Sequence, residues 1–367
     1  MRRHFLRRDG LYRRDGSLRL TRVAGHLWPT ARALAAAVDL LGIRRDLLAG
    51  LDVEAAVVAH LDAIERYWDA GGAPPAYASD VIGSRLGGDR YYDDNAWVGL
   101  ALVQFERLRP GGGWLARADQ LFEFAASGWD ARLDAPSPGG VFWVEQGTGT
   151  GARNHDRNTV SNAPNAELGL HLAELTAGSS EARRYARAHD MYDWVNISLD
   201  AGRAAGEPGT GLFWDKLRGD GTIDRTLWTY NQGSMIGANV VRARDSGSAE
   251  GGDAGGAGGA GDLARAEAIA DKALRHYGSA YDRQPPAFNA ILFRNLLLLS
   301  AATADIGLRQ RIREAMGTYA DAAWTIARDR HDRFRFARGR ATLLDQSAMV
   351  QVFALLAWDP DDYVKLA

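Results

Sequence analysis

Two adjacent aspartates, Asp93 and Asp94, are the residues whose types and spacing best fit a chemical role. Aromatic residues flank them on both sides, in the segment YYDDNAW that begins at Tyr91. Hydrolysis of a glycosidic bond uses two carboxyl groups placed on either side of that bond. Two carboxylates held close together repel each other, so that one ionises while the other keeps its proton. That division supplies a nucleophile and a general acid, whereas the alternative role of the pair is helix capping.

The position of the pair at a helix start decides whether both side chains can reach one substrate. The apolar segment AWVGLALVQF follows the pair with a helical period, which predicts that a helix begins there. Neighbouring side chains inside a helix diverge. The first residue of a helix can leave helical geometry, so we expect Asp93 and Asp94 to converge on one substrate.

Composition and charge exclude several classes of chemistry and partner. The 367 residues include no cysteine, which excludes disulfides, thiolate metal sites and a cysteine nucleophile. A net charge of −2 argues against nucleic acid as a partner, because nucleic acid requires a basic face. No motif indicates a metal or another cofactor, and no apolar run is long enough to span a membrane. The basic start lacks a signal-peptide pattern, so we expect a cytoplasmic protein, or a secreted one if a leader was removed.

The rest of the chain predicts a ring of helices that positions the pair. From Pro29 onward, about eleven segments with a helical period follow one another, separated by glycine or proline. No convincing strand lies between them, which argues against a βαβ fold. Helix pairs recur about every 60 residues without a domain-sized linker, so we expect one all-α domain over residues 1–367, a toroid of helix hairpins. Near the N-terminus, Asp9–Gly10 and Asp15–Gly16 predict a hairpin or an irregular lead-in.

Loop lengths predict which end of the toroid carries the site. In an up-down array, the loops that precede odd-numbered helices share one end. Four of these are long and rich in aromatic residues, and Trp28 lies at the same end; they are loops 71–92, 129–157, 202–228 and 329–341. Because function concentrates on long loops held by a rigid scaffold, we expect the site at this end. The glycine-rich segment 246–261 should form a flexible loop at the opposite end.

Several segments resemble glycoside hydrolase family 76, the endo-α-1,6-mannanases. The sequence YYDDNAWVGLALVQ resembles the catalytic segment of that family. Three more stretches resemble other family segments in the same order: LWPTARALAAAVDL, GGVFW followed by RNTVSNAPNAELGLHLAELTAG, and TYNQGSMIGANVVRAR. The resemblance covers about residues 27–358, with Phe142 where tryptophan is common and Arg157 where lysine is common. It implies an (α/α)6 barrel that cleaves α-1,6-linked mannan with retention of configuration.

The resemblance also implies roles for particular residues. Asp93 would be the nucleophile and Asp94 the acid/base, acting on an α-linked mannose oligo- or polysaccharide. Trp143 and Tyr92 are candidate platforms for stacking on a sugar ring. Six polar or aromatic residues fall on motif positions expected near the sugar: Asn158, Ser161, Asn162, Tyr230, Asn231 and Gln232.

Other functions fit the same kind of fold. A sugar isomerase or epimerase of another α/α toroid family would rely on a histidine base. A transglycosylase or a non-catalytic glycan-binding protein would keep the cleft but change or lose turnover. Glu145, near Trp143, is a reserve candidate for the acid. We expect the protein to be a monomer.

Overall fold

Eleven helices of 12 residues or more form the body of the protein. The computed structural model describes residues 1–15, 24–84, 88–177, 185–204, 211–248, 255–336 and 339–367. The helices are α1 Leu27–Asp39, α2 Val53–Ile64, α3 Tyr92–Leu108, α4 Leu115–Ser127, α5 Thr159–Leu175, α6 Ala186–Ser198, α7 Thr229–Ser248, α8 Gly255–Tyr277, α9 Pro286–Ala302, α10 Ile306–Ala322 and α11 Leu343–Leu356. Two one-turn helices, Arg2–Phe5 and Ala201–Ala204, lie outside this series.

The odd-numbered helices form a closed inner ring. Each one packs against the next, α1 against α3 and so on round to α11, which packs against α1 again. Each of the first five inner helices also packs against the outer helix that follows it. In the twelfth position lies a short 3-10 helix, Pro360–Lys365, which packs against α9 and α3. The arrangement is an (α/α)6 barrel, as expected from the sequence.

The burial of the helices explains why the sequence forms two layers. In the inner helix α9, Pro286, Ala287 and every residue from Asn289 to Leu299 are buried, which requires a segment that is apolar on nearly all sides. In the outer helix α10, the buried residues recur with a helical period: Leu308, Ile312, Met316, Tyr319 and Ala320. Inner helices are therefore surrounded by protein, and outer helices turn one face towards solvent.

The strands are two residues long and lie in the loops. Strands β1 Trp68–Asp69 and β2 Ala76–Tyr77 pair with each other, and β3 Arg157–Asn158, β4 Lys216–Leu217 and β5 Ile223–Asp224 form a three-stranded antiparallel sheet. This second sheet joins the loop before α5 to the loop before α7. Near the N-terminus, Leu6 and Tyr12 form an antiparallel bridge around Gly10, whose φ of +83° suits a tight turn. The hairpin predicted at Asp9–Gly10 is thus present.

The glycine-rich segment is more helical than its composition predicted. Helix α7 continues through Ser248 and α8 already begins at Gly255, so the expectation of a flexible loop over 246–261 was wrong at both of its ends. Once a helix is established, each further residue adds one hydrogen bond, and this cooperativity outweighs the low helix propensity of glycine. Residues 249–254 lie outside the described residues. Among the described helices, none is long and apolar enough to cross a lipid bilayer.

Candidate active site

The N-terminal ends of the inner helices open into one cleft. It has a volume of about 350 Å³, within the usual range for small-molecule sites. Its lining residues are Trp28, Tyr91, Asp93, Asp94, Trp97, Trp143, Asn158, Val160, Asp215, Lys216, Tyr230 and Phe288. A second cavity of about 560 Å³ adjoins the cleft, because both are lined by Trp28, Tyr91 and Asp94. The loops before α3, α5 and α7 all contribute, so the site lies at the end predicted from loop lengths.

The aspartate pair lies in the first turn of α3, and both side chains line the cleft. The expectation that one aspartate leaves helical geometry was wrong, because Tyr91 is the extended residue before the helix, with φ −94° and ψ 134°. Asp93 and Asp94 are the second and third helical residues. They converge for another reason. The Cα–Cβ bonds of a helix tilt towards its N-terminus, and the N-terminus of α3 points into the cleft.

Burial gives the two carboxyl groups different acidities. Removal from water raises the pKa of Asp93 and raises that of Asp94 well above its ordinary value. Hydrogen bonds from the backbone of Asp93 and Asp94 and from the Trp143 side chain lower the pKa of Asp93 again. The charge of Asp93 raises the pKa of Asp94 further. Asp93 therefore ionises first, while Asp94 keeps its proton.

The pair has no cationic partner among the described residues, and one carboxylate oxygen is free. The buried Oδ1 of Asp93 has no hydrogen-bond partner in the described part of the chain. A buried carboxylate that serves only the structure is normally paired with a cation or fully hydrogen-bonded. Instead, the positive end of the helix dipole lies at the first turn of α3, where it stabilises a negatively charged carboxylate. This arrangement suits a group that reacts with a substrate.

Asp215 is a third carboxylate in the cleft, and the sequence analysis missed it. Burial raises its pKa to about 6, and its charge raises the pKa of Asp93. The neighbouring Lys216 lines the cleft but is paired with Asp156, at 3.0 Å between Nζ and Oδ2. Asp215 directly follows Trp214 in the long loop 202–228. An acid next to an aromatic residue in a long loop at the site end was the signal that could have identified it.

Four of the residues expected near the sugar lie at the cleft or directly beside it. Trp143, Asn158 and Tyr230 line it, and the buried Oδ1 of Asn158 has no partner among the described residues. Tyr230 stacks on Phe288, with ring centroids 3.9 Å apart. Asn231 is buried next to Tyr230, and its side-chain oxygen and nitrogen have no hydrogen-bond partner among the described residues.

The other four predicted binding residues serve the structure. Tyr92 is buried and stacks on Phe124, at 4.5 Å between ring centroids, so it faces the core and not the sugar. The Ser161 hydroxyl accepts a hydrogen bond from the backbone N–H of Asn158 at the start of α5, at 3.1 Å. Asn162 and Gln232 are fully buried and bind the backbone of the preceding loops. A motif match identifies residues at a helix start but does not tell which side of the helix they face.

Two further residues hold the loop that carries Trp143. Glu145, the reserve acid, is bound by both guanidinium nitrogens of Arg90 that face it, with 2.8 Å between Nε and Oε2. The buried Arg157 donates to the carbonyl oxygens of Pro136, Ser137 and Gly139. Glu145 is thus occupied in an ion pair, and Arg157 holds the loop in place.

No metal site is found in the part of the chain that the structure describes. Within those ranges, histidines, aspartates and glutamates form no group of three that could hold a metal ion.

Comparisons with known proteins identify the family and the fold of the chain. The sequence matches the model of Glycosyl hydrolase family 76 over residues 26–357. A search of curated proteins gave no match. The fold is similar to that of a family 76 α-mannanase from Bacteroides thetaiotaomicron, with 17% identity and a TM-score of 0.73, over 92% of this chain and 87% of that one.

Two more solved structures are informative. One is an inactive variant of the α-1,6-mannanase of Salegentibacter sp. HEL1_6, with two consecutive aspartates changed to asparagine, in complex with α-1,6-mannotriose. It is 20% identical, with a TM-score of 0.71 over 97% of this chain and 95% of that one. A D-mannose isomerase is 13% identical, with a TM-score of 0.64 over 96% and 93%. These similarities show the fold, and the match over residues 26–357 shows that this chain belongs to glycosyl hydrolase family 76 and is a glycoside hydrolase.

Proposed function

We propose that this glycoside hydrolase cleaves α-1,6-mannosidic bonds with retention of configuration. Asp93 is the nucleophile and Asp94 the acid/base. The observation that carries this proposal is that two neighbouring carboxyl groups in the first turn of α3 line one cleft and have no cationic partner among the described residues. Repulsion between them favours one ionised and one protonated group. A retaining enzyme needs one ionised and one protonated carboxyl group at the start of its cycle.

The substrate class is supported by the inactive Salegentibacter mannanase variant. That protein is reported with α-1,6-mannotriose, and its two changed aspartates are consecutive, as Asp93 and Asp94 are. Aromatic faces of the cleft, Trp28 and Trp143, suit the apolar faces of sugar rings.

The two cavities indicate where the reacting sugar and the leaving sugar bind. Asp93 lines the first cavity, whereas Asp94 lines both. An acid must reach the oxygen of the bond being broken, which lies between the reacting sugar and the leaving sugar. We therefore place the reacting mannose in the cleft beside Asp215, and the leaving part in the second cavity, beside His26 and Asp80.

The cycle then requires two proton transfers at Asp94. Its carboxyl proton passes to the glycosidic oxygen while a carboxylate oxygen of Asp93 bonds to the anomeric carbon and the leaving sugar departs. Asp94, now ionised, takes a proton from water, and that water oxygen replaces Asp93 at the anomeric carbon. Two inversions at one carbon give net retention.

The decisive experiment uses α-1,6-mannotetraose, with the α-1,2 and α-1,3 isomers of mannobiose as controls. NMR of the first product should show the α-anomer, formed from the α-1,6 substrate alone. The β-anomer as first product would overturn the retaining mechanism, and failure to cleave any α-1,6 substrate would overturn the proposal. Conversion of free mannose into another sugar would instead identify an isomerase, for which His26 is the candidate base, because it lines the second cavity with its Nδ1 2.8 Å from Asp80 Oδ1.

A further inference from the structure

The inner helices begin with a shared four-residue pattern. Its second or third residue lines one of the two cavities, and its fourth residue is an amide or a hydroxyl side chain. The six segments are LWPT at 27–30, YDDN at 92–95, TVSN at 159–162, TYNQ at 229–232, PAFN at 286–289 and LLDQ at 343–346. In each inner helix the cavity-lining position thus precedes the fourth position by one or two residues.

In three of these helices the fourth residue forms the same set of hydrogen bonds, which we call the amide clamp. The clamp residues are Asn95, Asn162 and Gln232, all fully buried. Each side-chain oxygen accepts from the backbone N–H of one loop residue, at 2.8, 2.7 and 2.8 Å respectively. Each side-chain nitrogen donates to the carbonyl of that same loop residue, at 3.0, 3.1 and 3.0 Å, and also to the carbonyl of the residue before its own helix.

The other inner helices show parts of the same arrangement. Gln346 accepts from the N–H of Phe334 and donates to the carbonyl of Asp332, at 3.2 and 3.3 Å. Asn289 donates to the carbonyl of Tyr281 at 2.7 Å. The complete clamp therefore occurs in α3, α5 and α7, each of which follows a long loop.

The clamped loop residue lies two positions before a residue that lines a cavity. Asn95 clamps Tyr77, two positions before Ser79, which lines the second cavity. In the same way, Asn162 clamps Val141, before Trp143, and Gln232 clamps Phe213, before Asp215. The three clamped residues are fully buried and take part in β-bridges or strands: Tyr77, Val141 and Phe213. Side chains two apart in an extended segment point to the same side, so a clamp that fixes the buried residue also fixes the side to which the cavity-lining residue points.

We propose that Asn162 and Gln232 are positioning residues, which set Trp143 and Asp215 against the nucleophile Asp93. This inference rests on the proposed function, because it assigns the effect of each clamp to the ionisation of Asp93. Gln346 makes part of the same hydrogen bonds, but the residues it binds, Phe334 and Asp332, line neither cavity, so it provides the control.

The groups around Asp93 determine the direction of each effect. Asp94 and Tyr91 lie beside it on the start of α3, Trp143 on the loop before α5, Asp215 and Lys216 on the loop before α7, and Tyr230 on α7. Trp143 lowers the pKa of Asp93 and Asp215 raises it. Loss of the Asn162 clamp should therefore raise the pKa of the nucleophile, and loss of the Gln232 clamp should lower it.

The test is the acid limb of the pH profile of kcat/KM for α-1,6-mannotetraose. We expect Asn162→Leu to move this limb to higher pH and Gln232→Met to move it to lower pH, each by about 0.5 unit or more. Gln346→Met should lower Tm about as much as the other two variants do but leave the limb in place. If Asn162→Leu does not fold, the more conservative Asn162→Ser takes its place in the test. Its acid limb should shift in the same direction by a smaller amount.

The outcomes separate the inference from the proposed function. A wild-type protein that does not cleave the tetrasaccharide contradicts the proposed function. An active wild type whose acid limb does not move in either clamp variant, or moves equally in all three, contradicts the positioning roles alone. Combining Asn162→Leu with Trp143→Phe provides a further check, because the second change should add no further shift if both act through the same hydrogen bond.

Discussion

Two groups of buried carboxylates in this barrel, one at the mouth and one in the interior, differ in their partners. In the interior, Asp39 on α1 is fully buried, with Arg294 Nη1 at 2.5 Å from one oxygen and Gln351 Nε2 at 2.6 Å from the other. At the mouth, Asp93 and Asp94 have no such partners among the described residues, and like charges surround them. The same side chain therefore serves stability in one place and reactivity in the other.

Asp39, Asp93 and Asp94 are all buried, so their hydrogen-bonding and ionic partners, and not burial, distinguish their roles. A buried carboxylate whose oxygens are bound to a guanidinium and an amide is held in one state. A buried carboxylate without a cation keeps an unfavourable charge and a raised pKa, which is typical of functional sites. Four changes test this distinction, and the largest effect is expected at the mouth.

Removing either mouth carboxylate should abolish activity while preserving the fold. We expect Asp93→Asn and Asp94→Asn to lower kcat on α-1,6-mannotetraose by about 10³-fold or more, because each loses a group that reacts directly. Tm should stay the same or rise, since the change removes an unfavourable buried charge. Initial-rate kinetics and calorimetry on the same samples provide both numbers, and activity surviving in both variants would contradict the assignment.

Breaking the interior pair should have the opposite outcome. Arg294→Met leaves Asp39 buried without its cation, and we expect a loss of about 3–5 kcal/mol in the free energy of unfolding. Urea titration measures this loss, while kcat below the transition should change little. Arg275→Met, which removes an exposed pair with Asp271, is the control and should cost about 1 kcal/mol or less. Equal losses in the two variants would show that burial does not distinguish these pairs.

The raised pKa of Asp215 should make stability depend on pH with a definite sign. Its pKa is about 6 in the folded protein, above the ordinary value of about 3.9 in an unfolded chain. The folded state therefore binds this proton more tightly, and the associated stability is present below pH of about 4 and lost as the pH rises through about 6. We expect Asp215→Asn to remove about 1–2 kcal/mol of this decline, as measured by urea titrations across the range. A steeper decline in the variant would contradict the shift.

The smallest expected effect concerns the aromatic wall of the cleft. Trp28→Ala should raise KM for the tetrasaccharide by roughly tenfold, which corresponds to the loss of one stacking contact of about 1.4 kcal/mol. Trp324→Ala is the matched control, because Trp324 is 49% exposed and lines neither the cleft nor the second cavity. An equal change of KM in both variants would show that Trp28 is not a binding surface.

Much of the fold followed from periodicity and loop length. The eleven helices and the end that carries the site were predicted, because a helical period with glycine or proline between segments marks helices, and long loops mark the functional end. The prediction of a flexible loop over 246–261 was wrong at both ends of that segment. Residue composition does not indicate how far the two neighbouring helices extend into it.

The site was predicted less completely because sequence does not reveal where a side chain points. Tyr92 and Asp93 are neighbours, yet Tyr92 packs on Phe124 in the core and Asp93 lines the cleft. Asn162 and Gln232 lie in conspicuous motifs, but their side-chain amides form hydrogen bonds with the loop backbone and not with a substrate. The recurrence of an amide or hydroxyl residue at the fourth position of the inner helices was visible in the sequence. Its meaning required the loop residues that it binds.

The central claim, that Asp93 is the nucleophile and Asp94 the acid/base, is tested most directly by azide rescue with an aryl α-mannoside. In Asp94→Ala, azide should replace water at the mannosyl enzyme and give the α-mannosyl azide. In Asp93→Ala, azide should attack the substrate directly and give the β-mannosyl azide. The two anomers are distinguished by NMR. This pair of products is expected if Asp93 is the nucleophile and Asp94 the acid/base. The reverse pair, or the same anomer from both variants, would contradict that assignment.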